Sequence, residues 1–227
     1  LWKKLCCVQK GVNGTMTLLY KEIRLAAHPT SIVFAFLGCL VLVPAYPYSV
    51  IFMFGCLAPY ITFLNARETN DIWYTAVLPV TKRESVLGKC LLIVSFQLFQ
   101  LLFSVPFAIL RNVLNIANNP VGLDATAAWY GFGFILYTIF DLVFLTTFYK
   151  SGYKVGKSFI FAAIPMVFLM AATEATAHIP MLVWMDNCQP EHLFMQFPIL
   201  IVGIVCYGVL VPLAYRISVK HFEKVDL

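Results

Sequence analysis

The sequence predicts an all-α integral membrane protein with six transmembrane helices. Of its 227 residues, 61% are hydrophobic and only 12% are charged, and the mean hydropathy of +0.83 exceeds what a soluble core requires. A helix needs about 20 apolar residues to cross a bilayer, and it satisfies its own backbone hydrogen bonds there. The number and length of the apolar runs therefore favour six spans, joined by polar segments.

The N-terminal part divides into two pieces. Residues 1–15 have no clear helical pattern and are set apart as an extension of the domain, whereas residues 16–28 are predicted to form a helix lying in the membrane interface. An ordinary cytosolic lead-in to the first span is the alternative. The interfacial helix would present apolar residues every four positions, with Lys21, Glu22 and Arg24 elsewhere on its surface. Those apolar residues are Leu19, Ile23 and Ala27.

The six spans follow from the positions of the apolar runs. Prolines and tyrosines between the first two runs predict a tight turn in the headgroup region, so these two helices should form a hairpin. The spans are predicted at residues 30–45, 48–64, 91–110, 127–149, 158–177 and 197–215.

The longest polar stretch between two apolar runs is residues 65–90, NARETNDIWYTAVLPVTKRESVLGKC. Its many charged side chains cannot lie in hydrocarbon, so it must face water between spans two and three. The Lys and Arg residues show which side this is. Five precede span one, four lie in residues 65–90, three in residues 150–157 and three in the C-terminal tail, which leaves only Arg111 on the opposite side. The positive-inside rule places both termini in the cytoplasm.

Polar residues inside the spans are candidate sites. Gln97, Gln100 and Ser104 lie on one face of span three, where they either line a pathway or form hydrogen bonds between helices. Asp141 lies deep in span four, and a carboxylate there usually pairs with another group or lines a wet cavity. With Glu174 of span five, Gln97, Gln100 and Asp141 are our candidate intramembrane polar residues.

No catalytic residue and no metal ligand is assigned. Glu174 and His178 are four residues apart and could face one metal ion, but two ligands are too few for a zinc site and no HExxH sequence is present. A partnered acid and a structural histidine are therefore favoured. Small residues in spans five and six permit close helix approach, either within one subunit or at a dimer interface.

The chain also lacks a phosphate-binding loop. Gly88-Lys89 is superficially similar to the end of a P-loop, but Arg83 occupies the position of the first glycine and Cys90 replaces the final Ser or Thr. The chain itself therefore requires no cofactor and does not hydrolyse ATP by this motif.

Residues 65–90 resemble the most specific region of bacterial ABC-2 type transporter permeases. The resemblance extends over nearly the whole chain from Met16, includes the KEIR sequence of the N-terminal helix, and is closest to the permeases of phenol-soluble modulin exporters, which export cytotoxic amphipathic peptides. The motifs that carry it are Glu68-Thr69-Asn70-Asp71, Leu78-Pro79-Val80-Thr81-Lys82-Arg83 and Gly88-Lys89.

The resemblance implies a single ABC-2 transmembrane domain over residues 1–227, in a bacterial plasma membrane. It implies two permeases, identical or paralogous, each bound to a separate ABC ATPase subunit that carries ATP and Mg²⁺. Residues 65–90 would contain a coupling helix that docks on the ATPase, with exposed aromatic side chains as anchors. The docking residues would be Glu68, Asp71, Trp73, Tyr74, Leu78 and Pro79.

The predicted function is therefore ATP-driven export of an amphipathic or hydrophobic substrate, such as a peptide, with no nucleic-acid partner. A proton-coupled secondary transporter that uses Asp141 and Glu174 is the first alternative, although the two three-span halves show no inverted repeat. An intramembrane hydrolase is the second, but paired glutamates and a histidine cluster are missing from the sequence.

Overall fold

The computed structural model describes residues 19–26, 28–71, 75, 80–114, 116 and 119–224. These residues form helices and connecting turns, and none of them lies in a β-strand, which confirms the all-α class. Among them, five helices are long and apolar enough to cross a membrane. This architecture supports a multi-pass membrane protein.

The first described elements are shorter than the sequence predicts. A π-helix over Glu22–Ala26 precedes α1 (Pro29–Phe36), which continues as a 3₁₀ helix over Leu37–Leu42. At 1.5 Å per α-helical residue and 2.0 Å per 3₁₀ residue, α1 and its continuation rise about 24 Å, against about 30 Å of hydrocarbon. The predicted span at residues 30–45 is thus an apolar helix, but it is shorter than a full span.

The remaining helices follow the predicted order, with two earlier starts. Predicted spans three and six begin at residues 91 and 197, but the corresponding helices α3 and α6 begin at Lys82 and Pro190. A capping box explains the start of α3, because the Thr81 hydroxyl accepts from the Glu84 N–H and the Glu84 carboxylate accepts from the Thr81 N–H. The helices are α2 (Ser49–Glu68), α3 (Lys82–Val113), α4 (Ala127–Lys150), α5 (Val155–Thr176), a 3₁₀ turn (Pro180–Met185) and α6 (Pro190–Glu223).

The central helix is α4, which packs against α2, α5 and α6. Its side chains Trp129, Tyr137 and Phe144 are fully buried and belong to one aromatic core cluster. Close approach of α4 to α6 depends on two glycines, since a Cβ on Gly203 would collide with the backbone carbonyl of Gly131. This contact uses small residues for packing within the chain.

The structure changes the interpretation of residues 65–90. Their first residues complete α2 and their last nine belong to α3. Because α3 has 32 residues, it is about 48 Å long and extends well beyond the hydrocarbon layer. The polar segment predicted at residues 65–90 therefore includes the end of α2 and the start of α3.

Candidate functional site: a buried charge cluster

Four charged side chains form a closed ring beside the ends of α2 and α3. Lys89 Nζ lies 2.7 Å from one Asp71 oxygen and 3.2 Å from one Glu22 oxygen. Lys21 Nζ lies 2.9 Å from the other Glu22 oxygen and 3.4 Å from the other Asp71 oxygen, and it donates to the Thr75 hydroxyl at 2.9 Å. None of the four is more than 7% exposed. We call Lys21, Glu22, Asp71 and Lys89 the buried charge cluster.

Local features of the backbone allow the cluster to close. At the end of α2, Asn70 has a φ of +53°, which Asn tolerates, and this turn directs the next residue toward α3. Gly88 faces Glu22, because a Cβ at this glycine would lie 3.3 Å from the Glu22 Cγ. The Lys89 ammonium also lies 5.6 Å from the centre of the Phe63 ring, a cation–π contact with α2.

The charges of the cluster balance one another. Two ammonium groups balance two carboxylates, so the ring is neutral as a whole. Burial raises the pKa of Asp71, but Lys89 and Lys21 outweigh this effect and hold its pKa below the usual value. Removing one member of a buried ion pair leaves an uncompensated charge, so the cluster ties the N-terminal segment, residue 71 and α3 together.

The predicted docking residues do not share one environment. Glu68 is exposed at the end of α2, as a docking residue should be. Asp71 is 6% exposed, and both of its oxygens contact lysines of the same chain; this differs from the surface position that docking requires. The docking predictions for Trp73, Tyr74, Leu78 and Pro79 fall outside the described residues.

The sequence reasoning missed the cluster because its members come from three distant places. Lys21 and Glu22 were expected on the surface of an interfacial helix, which is wrong: both are buried, whereas Ile23 is 45% exposed. Two signals could have located the cluster. Lys89 comes just before the predicted third span at residue 91, where a lysine next to hydrocarbon needs a partner, and its neighbour Gly88 leaves room for one.

The intramembrane polar residues form a second network, between α3, α4 and α6. The Gln97 amide donates to Asp141 Oδ1 at 2.7 Å, and the Tyr207 hydroxyl donates to the Gln97 carbonyl oxygen at 2.7 Å. Asp141 is fully buried, and its Oδ2 atom has no hydrogen-bond partner within the described part of the chain. The structure thus brings Gln97 and Asp141 together, although the sequence placed them on different helices without pairing them.

Gln100 and Ser104 make separate interhelical contacts from the same face of α3. The Gln100 amide donates to the backbone carbonyl of Phe34 at 3.0 Å, and its carbonyl oxygen accepts from the Tyr137 hydroxyl. Gly55 leaves room for that pair, since a Cβ there would collide with both groups. Ser104 and the Tyr130 hydroxyl lie 3.0 Å apart. Hydrogen bonds between helices therefore use the polar groups of this face.

Glu174 accepts two hydrogen bonds at the end of the bundle that lies opposite the buried charge cluster. Its two oxygens accept from the backbone N–H groups of Ser49, at 2.8 Å, and Leu123, at 3.0 Å. Ser49 is the first residue of α2, so Glu174 caps that helix. His178 lies 3.2 Å from the carbonyl of Val121, and no group of three or more His, Cys, Asp or Glu side chains among the described residues could hold a metal ion.

A buried ion pair at this same end was not predicted. Arg111 lies 2.9 Å from an Asp124 oxygen, and both side chains are at most 3% exposed. Asp186 accepts from the Asp124 backbone N–H at 2.6 Å. Burial raises the pKa of Asp186 to about 6. In the sequence, Arg111 indicates only the side of the membrane, and its position as a lone cation after an apolar run is the available signal for a partner.

Comparison with known proteins gives one match. The model of the family described as ABC-2 family transporter protein matches residues 17–223. No curated protein and no solved structure matches the chain. The family match includes every member of the buried charge cluster and all of α1 to α6.

Proposed function

Because the chain belongs to the ABC-2 family of transporters, whose members are non-catalytic membrane components, we propose that it is the permease subunit of an ABC exporter. A separate ABC ATPase subunit binds ATP and Mg²⁺ and docks on residues 65–81, on the cytoplasmic side. The single observation that carries this proposal is the buried charge cluster, which links the connection between α2 and α3 to both α3 and the N-terminal segment.

The cluster can transmit movement from the docked connection to a membrane helix. Residue 71 lies in the short connection, and its carboxylate holds Lys89 of α3 at 2.7 Å. Separating the two would strand charges in a buried setting, which is costly. Movement of the docked connection is therefore passed to α3 as a displacement of the helix, instead of being absorbed by the loop. A two-state shift of packed helices of this kind is a common switching mode.

The docking surface is proposed around the cluster, not within it. Glu68 supplies an exposed charge that sets register, and Trp73 and Tyr74 supply aromatic anchors, supported by Leu78 and Pro79. Asp71 is no longer proposed as a docking residue; it is buried in the cluster and positions the connection between α2 and α3. This assignment follows the family resemblance for the anchors and the observed burial for Asp71.

The cluster also supports the proposal that the chain before α1 and the chain after α2 lie on the same side of the membrane, as six spans with cytoplasmic termini require. Glu22 and Asp71 both bind Lys89, so the chain before α1 and the chain after α2 lie on the same side of the membrane. The two helices between these points, α1 and α2, must therefore either both cross the membrane or both remain on one side. Because α2 is long enough to cross, the first arrangement is favoured. We propose that α1 and its 3₁₀ continuation complete the other crossing where the bilayer is locally thinned.

The transported substrate is proposed to be an amphipathic peptide or another hydrophobic molecule, moved outward between two permease copies or paralogues in a bacterial plasma membrane. This proposal rests on the resemblance to exporters of amphipathic peptides. ATP-driven change in the partner subunits would shift the permease pair between inward-open and outward-open states.

A proton-coupled transporter remains the second candidate, on one observation. Asp141 is fully buried with an unpartnered oxygen, as a proton carrier in a membrane would be. The other proposed relay acid, Glu174, is held by two backbone N–H groups and so acts as a helix cap. This leaves the proton-coupled mechanism with one of its two acids.

The test is to purify the chain with and without an ABC ATPase from the same organism. We expect no ATP hydrolysis by the chain alone, and substrate-stimulated hydrolysis by the complex. In the complex, Lys89→Gln should lower the amount of substrate moved per ATP, whereas Lys150→Gln, which alters an exposed lysine at the end of α4, should not. ATP hydrolysis by the purified chain alone would refute the proposal.

A further inference from the structure

An apolar groove opens between the Glu22–Ala26 segment, α1 and α3. It has a volume of about 290 Å³. Ile23 lies at one end, Ile32 and Phe36 form the α1 wall, and α3 contributes the opposite wall from Leu92 to Phe99. Those seven residue steps of α3 rise about 10 Å. The groove therefore runs from the level of the buried charge cluster toward the middle of the membrane.

The chemistry of the lining selects its occupant. Ser95 is the only residue with a polar side chain among the described lining residues, and its hydroxyl already donates to the Leu91 carbonyl at 2.7 Å. An extended peptide in the groove would leave its N–H and C=O groups without partners, which is unfavourable in an apolar setting. A hydrocarbon chain has no such groups and fills the groove without this cost.

A cation comes next in sequence after the residue at the cluster end of the groove. Arg24 follows Ile23 directly and is exposed. Its Nε donates to the Tyr20 hydroxyl at 3.0 Å, and its guanidinium carbon lies 5.6 Å from the centre of the Tyr20 ring. This contact is made through the Nε–H and the guanidinium carbon, and the side chain as a whole is exposed. Arginine binds phosphate through two such donors, and tyrosine is favoured at the headgroup level of membranes.

We propose that this groove binds one anionic phospholipid of the cytoplasmic leaflet, with an acyl chain between α1 and α3 and the phosphate on Arg24. The bound lipid packs against two elements that the buried charge cluster joins, since Ile23 follows Glu22 and Leu92 lies one turn beyond Lys89. It therefore reinforces the contact between the N-terminal segment and α3. The site depends only on the groove and Arg24, so it can be correct whether or not the chain acts with an ATPase.

The experiment measures lipid binding by the purified chain in detergent, by native mass spectrometry and by the midpoint of thermal unfolding. Phosphatidylglycerol, phosphatidylcholine with the same acyl chains, and inorganic phosphate are titrated separately. Arg24→Gln removes the cation, and Ser95→Leu fills the groove from a half-buried position. Arg216→Gln is the matched control, because Arg216 is exposed on α6 and does not line the groove.

The wild type and Arg216→Gln should bind phosphatidylglycerol more tightly than phosphatidylcholine, with a raised unfolding midpoint. Arg24→Gln should weaken phosphatidylglycerol binding about fivefold, the effect of one cation near anionic lipid, and Ser95→Leu should lose binding of both lipids. Ile23→Trp, which fills the groove from its other end, should repeat the Ser95→Leu result if that variant misfolds.

Three results would overturn the proposal. Unchanged binding in both groove-filling variants would place the lipid elsewhere. If inorganic phosphate raised the unfolding midpoint as much as phosphatidylglycerol does, Arg24 would bind a free anion and not a lipid. A lipid-free dimer that the groove-filling variants abolish would show that a second copy of the chain occupies the groove.

Discussion

The buried pair of Asp71 and Lys89 should show strong energetic coupling in a double-mutant cycle. The side chains are 7% and 4% exposed and lie 2.7 Å apart. Asp71→Asn leaves the cluster with a net charge of +1, and Lys89→Met leaves it with −1. Breaking a buried ion pair by removing one partner costs about 3–5 kcal/mol, and each single variant should lose stability on this scale.

The double variant should lose less than the sum of the two single variants. It retains Lys21 and Glu22, which form a neutral pair 2.9 Å apart, so no charge is stranded. We expect a coupling free energy of about 2 kcal/mol, within the range seen for residues in contact.

The chain offers a matched control for burial. Arg83 and Glu223 lie 2.8 Å apart, but their side chains are 70% and 41% exposed. Since the two pairs have nearly the same length, burial is the main difference between them. The Arg83→Gln and Glu223→Gln cycle should give no measurable coupling, as is usual for exposed pairs.

The assay is reversible unfolding in mixed micelles at pH 7, followed by circular dichroism, for the wild type, the single variants and the double variant of each pair. Additive losses at Asp71 and Lys89, or equal coupling in the two cycles, would refute the reasoning. Either result would mean that the buried charge cluster does not hold α3 to its neighbours.

Three further predictions concern other parts of the chain. Burial raises the pKa of Asp186 to about 6 from an unperturbed value near 4. Its contribution to stability is therefore present below about pH 4 and lost as the pH rises through 6. Asp186→Asn should make the unfolding midpoint depend less steeply on pH between 4 and 6. Glu174→Gln should lower stability by about 1–2 kcal/mol, since a charged acceptor of two backbone N–H groups is lost, while transport by the folded variant continues. Trp73→Ala should uncouple ATP hydrolysis from transport, whereas Trp184→Ala, at the other end of the bundle, should not.

These predictions have separate points of failure. An unchanged pH slope in the Asp186 variant would assign that titration to another acid. If a folded Glu174→Gln variant lost both transport and the pH dependence of transport, Glu174 would again be a candidate acid of a proton-coupled mechanism. Unchanged coupling in Trp73→Ala would count against the docking assignment.

The sequence predicted the helices well where apolar residues dominate, and less well where helices leave the membrane. Hydropathy located α2, α4 and α5 to within a few residues, because their ends coincide with changes in polarity. It missed the first turns of α3, since Lys82, Arg83 and Glu84 read as loop residues although they begin a capped helix. Hydropathy also does not predict that α1 continues as a 3₁₀ helix, because the residues of both parts are mostly apolar.

Side-chain partnerships were harder to predict than helices. The spacing of Gln97 and Gln100 correctly placed both on one face of α3, but their partners Asp141, Tyr137 and Tyr207 depend on helix packing that spacing does not specify. The buried charge cluster combines residues 21, 22, 71 and 89, and although Gly88 and Lys89 indicate that a partner is needed, a single sequence does not show that Lys21, Glu22 and Asp71 supply it.

The most direct test of the proposed permease function is transport by proteoliposomes that contain the chain and its ATPase. We predict uptake of an amphipathic peptide into inside-out vesicles when ATP and Mg²⁺ are supplied, with no uptake driven by a pH gradient alone, and with Asp141→Asn retaining transport. Uptake driven by a pH gradient without ATP, abolished by Asp141→Asn, would contradict the proposal and identify the chain as a proton-coupled transporter.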